Sequence, residues 1–380
     1  MTTPAVPIVR RLGRVPALDS LRAIAVLLVL GTHLWAVFPF GPFDDRWTRS
    51  GFLGVDLFFV LSGFLITSLL LEEHADTGRI RVRRFYLRRA LRLVPALVLF
   101  FAVYLAYSAA NDWPPFGRRD FAFDSLEATF LYYMNWRVLW NPLGAADLTA
   151  FWSLSIEEQF YLVWPVALLG LLWCVRKGGS AVWLVAAAAL AVTAWRAVAF
   201  RRWGWEAAYL RTDTRIDGLL WGALTALLYA SGRLPRRLPA WTPAAVGALW
   251  IVLLVAVRAD RGFAYAGGIT LWVLSSAVLI VHLANDPGRF TRGPLASASQ
   301  AIGRVSYAAY LWQLPVLRAV ERWGEDWSLT ARVVGALALL AACTVGSWYL
   351  VERPFLQLKR RVQRRWERPE PAAAVSAGDG

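Results

Sequence analysis

The chain of 380 residues is 58% hydrophobic, contains 21 tryptophans and carries a formal net charge of +15. Its mean hydropathy of +0.45 indicates a polytopic membrane protein rather than soluble domains. Basic loops on the cytoplasmic side of a membrane account for the charge better than nucleic-acid binding does, so we expect no nucleic-acid partner. Cys174 and Cys343 lie in apolar runs without metal-ligand spacing, which favours plain packing and predicts no metal site.

Apolar runs bounded by charged residues, proline or glycine predict ten transmembrane helices. They cover residues 18–38, 51–71, 92–110, 153–174, 180–200, 213–231, 241–257, 264–284, 304–321 and 332–351. An even number of spans places both termini on one side, and the excess of Lys and Arg in the termini and in every second loop predicts that this side is cytoplasmic. The expected fold class is therefore all-α, a polytopic helix bundle in the cytoplasmic (inner) membrane.

A single membrane domain, residues 18–355, accounts for nearly the whole chain. Residues 1–17 are expected to form a cytoplasmic segment, and residues 356–380 a basic and then disordered cytoplasmic tail. The largest exterior loop, residues 111–150, contains the apolar stretch LEATFLYYMNW, which is too short to cross a bilayer. We interpret this stretch as re-entrant or interfacial.

The first predicted span contains Asp19, Arg22 and His33. Polar groups in a span are costly and mark a bundle interior or a wet cavity. Arg22 and His33 are three helical turns apart, so both side chains point from one face with a rise of roughly 16 Å between them. An imidazole is suited to general-base catalysis near neutral pH, whereas Arg22 can bind phosphate or fix Asp19. A histidine hydrogen-bonded only for packing is the alternative for His33.

Charges also accompany the next two predicted spans. Asp56 lies well inside the second span and needs a cation, a hydrogen-bond donor or a proton there. Arg88, Arg89 and Arg92 stand at the cytoplasmic entrance of the third span. Such a run serves topology and lipid contact, or it grips the phosphates of a cytoplasmic ligand.

A polar cluster opens the fourth predicted span from the exterior side. It consists of Ser153, Ser155, Glu157, Glu158 and Gln159. Helix capping explains serine and acidic residues at a helix start, but two acids and an amide directly before an apolar run indicate a further role.

The sixth predicted span begins with the sequence RTDTRIDGLLWG. Arg211 and Arg215 form one row at i,i+4 spacing, and Asp213 and Asp217 form the next. Rows of opposite charge entering a membrane favour either a functional polar network or structural ion pairs.

Together and in this order, these stretches closely resemble the acyltransferase type 3 family of integral membrane acyltransferases. The resemblance covers about residues 18–355 and includes GVDLFFVLSGFLI, FYLRRALRLVP, WSLSIEEQFY and TRIDGLLWG. The family's basic residue, ten intervening residues and histidine are matched by Arg22 and His33. One departure is Gln313, which stands where relatives commonly have histidine in YLWH; its amide retains donor and acceptor capacity.

The resemblance implies transfer of an acyl group, most often acetyl, from cytoplasmic acyl-CoA to a hydroxyl of a carbohydrate or related acceptor. Acetyl-CoA is thus the expected donor, and an envelope polysaccharide or glycolipid is the first choice of acceptor. A secondary metabolite such as a glycosylated macrolide is the second choice. A transporter or flippase that uses the same polar residues as a translocation path is the alternative of another class.

In this hypothesis His33 deprotonates the acceptor hydroxyl, and Glu157 or Asp56 orients the imidazole or binds the acceptor. Direct transfer and an acyl-enzyme on Ser or His both remain open. The residues expected to hold the CoA phosphates are Arg22, Arg88, Arg89 and Arg92. The residues expected to bind the acceptor or to form a structural polar network are Asp19, Ser153, Ser155, Glu158, Gln159, Arg215, Asp217 and Gln313.

Overall fold

The computed structural model describes residues 9–13, 15–39, 50–113, 118–176, 180–286, 288 and 291–367. Within these ranges the regular structure is helical and no strand occurs, which confirms the predicted all-α class. The predicted disordered end of the tail lies beyond residue 367 and thus outside the described residues.

The α-helices, in chain order, are α1 (Ala17–Val37), α2 (Leu53–Thr77), α3 (Val82–Ala110), α4 (Arg119–Phe130), α5 (Met134–Trp140), α6 (Trp152–Arg176), α7 (Ala181–Leu210), α8 (Thr212–Arg215), α9 (Asp217–Ala230), α10 (Thr242–Ala256), α11 (Ile269–Asn285), α12 (Pro294–Arg304), α13 (Ser306–Trp323), α14 (Leu329–Ser347) and α15 (Arg353–Glu367). A 3-10 helix (Leu143–Phe151) precedes α6, and π-helical turns precede α11 (Ala264–Gly268) and α15 (Trp348–Glu352).

Seven helical segments of the described chain are long and apolar enough to cross a membrane. They are Ala17–Val37, Leu53–Thr77, Val82–Ala110, Asp147–Val175, Ala181–Leu210, Ala264–Asn285 and Leu329–Lys359. They coincide with seven of the ten predicted spans. The sixth and seventh predicted spans correspond to the shorter apolar helices α9 and α10. The ninth predicted span corresponds to α13, whose mean hydropathy is lowered by Arg318, Glu321 and Arg322. The count of ten crossings and the orientation stay predictions.

Helix α2 lies at the centre of the bundle, since 72% of its most apolar window is buried, the largest share among these segments. It packs closely against α9 through glycine on both helices. A Cβ atom added to Gly63 would lie 2.0 Å from the Leu219 carbonyl oxygen, and one added to Gly222 would lie 2.2 Å from the Val60 carbonyl oxygen. Only glycine therefore permits this approach, as expected for small residues between membrane helices.

The two ends of α2 contact different parts of the chain. At its N-terminal end, the Phe52 ring lies 5.5 Å from the Tyr209 ring near the end of α7. At its C-terminal end, Asp76 pairs with Arg11 at 2.5 Å in the segment before α1. Because α2 has 25 residues, these two ends are about 37 Å apart at 1.5 Å per residue.

The predicted re-entrant or interfacial stretch between α3 and α6 folds as parts of two short helices. Helices α4 and α5 have 12 and 7 residues, too few to span a bilayer. A tight turn joins them, in which Tyr132 has a φ angle of 58°. The segment is held against the bundle, since the first backbone N–H of α5 donates to Ser155 Oγ at 3.1 Å.

Candidate active site

A cavity of about 760 Å³ runs along α2, with lining residues from Val55 to Thr77. We call it the arginine cavity, because its lining includes Arg22, Arg81, Arg84, Arg88, Arg89, Arg92 and Lys359. Four carboxylates face it as well: Glu72, Glu73, Asp76 and Glu157. The side chains of its inner end are mainly aromatic and hydroxylic: Phe58, Phe59, Ser153, Tyr307 and Tyr310. Such a lining suits a ligand with an anionic end and a less polar end.

Carboxylates fix two of the predicted phosphate-binding arginines on α3. Arg89 donates two hydrogen bonds to Glu158, one of them from Nε at 2.8 Å. Its guanidinium also lies 3.3 Å from the centre of the Tyr161 ring. Arg88 Nη2 pairs with Glu73 at 2.8 Å. Bidentate charge-assisted pairs hold side chains rigidly, so Arg89 is a preformed part of the cavity wall.

The other two predicted phosphate-binding arginines differ from each other. Arg22 pairs with Asp19 at 3.0 Å, at the i,i+3 spacing read from the sequence. Arg92 is exposed in the cavity and forms no ion pair with any residue that the structure describes. The nearby cations include Arg22 and Arg89, which repel the charge of Arg92. Carboxylates that include Glu157 and Glu352 lie near Arg92 without pairing with it directly. Because the cavity lining has seven basic side chains and four carboxylates, it favours a bound anion.

Glu157 belongs to the arginine cavity and contacts Arg89 at 3.9 Å. Its carboxylate accepts hydrogen bonds from Ser62 and, at 2.7 Å, from the Tyr161 hydroxyl. Tyr161 was not among the predicted site residues, although its i,i+4 spacing from Glu157 is a signal that could have found it. The structure therefore brings Glu157 together with the cations of the cavity and not with His33.

The polar cluster that opens α6 ties this helix to several elements. Ser153 shares a hydrogen bond of 2.5 Å with the Tyr310 hydroxyl on α13. Ser155 accepts from the backbone of α5. Gln159 donates to a backbone carbonyl in the turn before α5 at 2.6 Å and accepts from Thr212 at 2.5 Å. These contacts join α6 to other helices and are therefore more than helix capping. Of Ser153, Ser155 and Gln159, Ser153 is the one that lines the cavity.

Asp56 lies in a buried ionic network next to the cavity wall. It pairs with Arg215 at 2.8 Å, and both side chains are at most 1% exposed. Asp217 pairs in the same way with Arg196 of α7, a residue that the sequence reading missed although an arginine inside a long span marks a polar site. Arg211 pairs instead with its near neighbour Asp213, at 2.9 Å. The two predicted rows of charge are therefore divided among three separate ion pairs.

His33 does not line the arginine cavity. Its imidazole faces the Gln313 side chain on α13, and its Nδ1 atom has no hydrogen-bond partner among the described residues. Gln313 is fully buried and follows Tyr310, which lines the inner end of the cavity, by three residues or roughly 4.5 Å of helix. The His33–Gln313 pair thus lies just beyond that inner end.

No cluster of three or more His, Cys, Asp or Glu side chains that could hold a metal ion occurs in the described part of the chain. The polar site consists instead of arginines, carboxylates and one histidine in a bundle of apolar helices.

The sequence model of the acyltransferase type 3 family, described as an acyltransferase domain, matches residues 15–352. This chain belongs to that family. It therefore carries an acyltransferase domain in a chain with several helices able to cross a membrane, which favours the acyl-transfer interpretation over the transporter interpretation.

Three curated relatives are each 30% identical to this chain. The peptidoglycan O-acetyltransferase of Listeria monocytogenes aligns over 80% of this chain and 49% of its own length. A provisionally named O-acetyltransferase of Staphylococcus aureus aligns over 91% of this chain and 58% of its own length. A provisionally named peptidoglycan O-acetyltransferase of Bacillus subtilis aligns over 92% of this chain and 56% of its own length. The chain thus spans about half the length of the curated relatives it matches. No solved structure matches it.

Proposed function

We propose that this acyltransferase O-acetylates a carbohydrate of the cell envelope, with peptidoglycan as the first candidate, using acetyl-CoA from the cytoplasm as donor. The arginine cavity is the observation that carries the proposal, because CoA presents a pyrophosphate and a further phosphate at one end. Family membership supports acyl transfer, and the names of the relatives support an acetyl group and a peptidoglycan acceptor. The protein would act in the cytoplasmic membrane.

The donor would bind with its phosphates at the basic wall and its thioester toward the inner end. Arg92 supplies a guanidinium that has no direct ion pair among the described residues, while Arg22, Arg88 and Arg89 are held in place by carboxylates. The cavity volume of about 760 Å³ falls in the range of roughly 300–1,000 Å³ that is common for sites of small organic ligands. The acyl end would lie at the inner end of the cavity beside Phe58 and Tyr310, whose rings contact each other, on the side toward His33.

His33 would then take the proton of the acceptor hydroxyl as that oxygen attacks the thioester carbonyl. The new C–O bond forms, the C–S bond breaks, and the departing CoA thiolate takes up the proton that His33 received. Gln313 would orient the imidazole, since its amide faces His33 and cannot itself titrate. Transfer through an acyl-enzyme on Ser62, which lines the cavity, is the alternative route.

Glu157 and Asp56 take positioning roles in this mechanism. Glu157 holds Ser62 and Tyr161 beside Arg89. Asp56 is neutralised by Arg215 in the buried network. Both carboxylates therefore shape the walls around the donor, and neither is needed as the hydrogen-bond partner of His33.

The test uses the purified full chain in lipid nanodiscs with radiolabelled acetyl-CoA and soluble peptidoglycan fragments. Mass spectrometry should detect fragments heavier by one acetyl group, in an amount equal to the CoA released. CoA release without acceptor, or rapid exchange of label between CoA and acetyl-CoA, would reveal the acyl-enzyme route. Absence of any acetylated glycan, with active donor consumption and another acetylated product, would contradict the carbohydrate acceptor.

A further inference from the structure

A second polar site lies toward the N-terminal end of α2, outside the lining of the arginine cavity. It consists of Trp136 on α5, Trp203 on α7, and the Arg211–Asp213 pair beside α8; we call it the tryptophan surface. Tyr209, two residues before Arg211, contacts Phe52 at the N-terminal end of α2. The mouth of the arginine cavity lies at the C-terminal end of the same helix.

An ion pair between two indole rings forms the centre of the tryptophan surface. Arg211 Nε and Nη2 donate to the two carboxylate oxygens of Asp213 at 3.0 and 2.9 Å. The guanidinium lies 4.9 Å from the Trp203 ring and 5.4 Å from the Trp136 ring. The Trp195 indole N–H also donates to the Asp213 carboxylate, at 2.7 Å. Arg211 and Asp213 remain 26% and 41% exposed, and Trp203 48%, so the site is both rigid and accessible.

The local sequence explains how these residues meet. Gly204 has a φ angle of +85°, a backbone conformation that glycine adopts without strain and other residues rarely adopt. This break directly after Trp203 lets the end of α7 turn, so that Arg211 returns to the Trp203 ring. The local backbone conformation therefore places Arg211 beside the Trp203 ring.

We infer that the tryptophan surface binds the carbohydrate acceptor; this inference rests on the proposed function. Sugar rings present C–H faces that pack on indole rings, and hydroxyl groups that pair with fixed carboxylates and guanidinium groups. Exposed tryptophans also form belts at membrane interfaces. A belt does not require an Arg–Asp pair held in bidentate geometry between the rings, and that pair favours a polyhydroxylated ligand.

Hydrogen bonds connect the tryptophan surface to the arginine cavity. Thr212, between Arg211 and Asp213 in the chain, donates to Gln159 on α6 at 2.5 Å. The next residue toward the start of α6 is Glu158, which holds Arg89 in the cavity wall. The acceptor surface and the donor site are thus fixed relative to each other through the first turns of α6.

The experiment measures glycan binding directly, by saturation-transfer NMR on the full chain in nanodiscs. The probes are soluble peptidoglycan fragments and a tetramer of β-1,4-linked N-acetylglucosamine. Trp203→Ala and Arg211→Ala should each weaken binding by about tenfold or more, as expected for a central aromatic or arginine contact. Asp213→Asn, which keeps the shape of the site, should weaken it less.

Trp183→Ala is the matched control, because Trp183 is 73% exposed near the opposite end of α7 and is not part of the tryptophan surface. It should leave glycan binding unchanged. The inference is overturned if the wild-type protein binds neither probe, if the three variants bind as the wild type does, or if Trp183→Ala causes the same loss.

Acetyl transfer is measured on the same samples, so that the two proposals fail separately. Glycan binding that depends on Trp203 and Arg211 without acetyl transfer supports the tryptophan surface and contradicts the proposed function. Acetyl transfer that survives these substitutions with unchanged acceptor KM supports the function and contradicts the surface.

Discussion

The basic end of the arginine cavity lies toward the C-terminal end of α2 and the tryptophan surface toward its N-terminal end, and the two sites differ in how their charges are balanced. In the cavity seven basic side chains face four carboxylates, and Arg92 has no ion pair among the described residues. At the tryptophan surface Arg211 and Asp213 neutralise each other between aromatic rings. The first composition suits a polyanion and the second a polar ligand without large net charge. The difference supports a donor at one end and a carbohydrate at the other.

Between the two ends lie groups that belong to neither. The His33–Gln313 pair stands beyond the inner end of the cavity. The Asp56–Arg215 pair is buried beside the cavity wall, with Phe59 near the guanidinium. If the proposed division is right, substitutions in the middle should affect transfer or stability, while substitutions at each end should affect one substrate only.

The largest expected effect is that of His33→Ala. Loss of a general base typically lowers the rate by about 10²–10⁴-fold, so acetyl transfer should fall to near the background. The KM for acetyl-CoA and the affinity for soluble glycan should both stay close to the wild-type values, because His33 lines neither end. Steady-state kinetics in nanodiscs, with the unfolding temperature as control, checks this. Normal turnover by a well-folded His33→Ala protein would end the proposed mechanism.

The second largest effect is expected from breaking the buried Asp56–Arg215 ion pair. Asp56→Ala leaves the Arg215 charge without its partner in the bundle, which costs about 3–5 kcal/mol in comparable buried pairs. The variant should unfold at much lower temperature and lose both donor and acceptor binding. The double substitution Asp56→Leu with Arg215→Met removes both charges and should recover much of the stability. A double variant no more stable than Asp56→Ala would show that the pair does not act as a unit.

Arg92→Ala should affect the donor end alone. A charge-assisted hydrogen bond contributes about 1.5–3 kcal/mol, so the KM for acetyl-CoA should rise roughly 10- to 100-fold. Arg83→Ala is the matched control on α3, because Arg83 is exposed and does not line the cavity. With acetyl-pantetheine, which lacks the nucleotide phosphates, the wild type and Arg92→Ala should have equal KM values. An unchanged KM for acetyl-CoA would remove Arg92 from the phosphate site.

Local and compositional features of this fold could be predicted from the sequence, and contacts between helices could not. The ten apolar segments are all helical, and the Arg22–Asp19 pair follows from i,i+3 spacing. Arg196 and Asp217 are 21 residues apart on different helices, so no helical periodicity relates them. The tryptophan surface depends on the break at Gly204, and the position of His33 outside the cavity depends on how α1 packs on α13. Patterns in a single sequence reveal neither the backbone break at Gly204 nor the packing of α1 on α13.

The smallest expected effect tests the connection between the two ends. Thr212→Val removes the hydroxyl that donates to Gln159 and accepts from Asn135 but preserves the shape of the side chain. A neutral hydrogen bond contributes about 0.5–1.5 kcal/mol, so kcat should fall roughly 2- to 10-fold while the KM for acetyl-CoA is unchanged. Thr291→Val is a suitable control, since within the described residues the Thr291 hydroxyl donates to the nearby Gly288 backbone carbonyl. If Thr212→Val has the kcat of the wild type, the tryptophan surface and the arginine cavity do not depend on this connection.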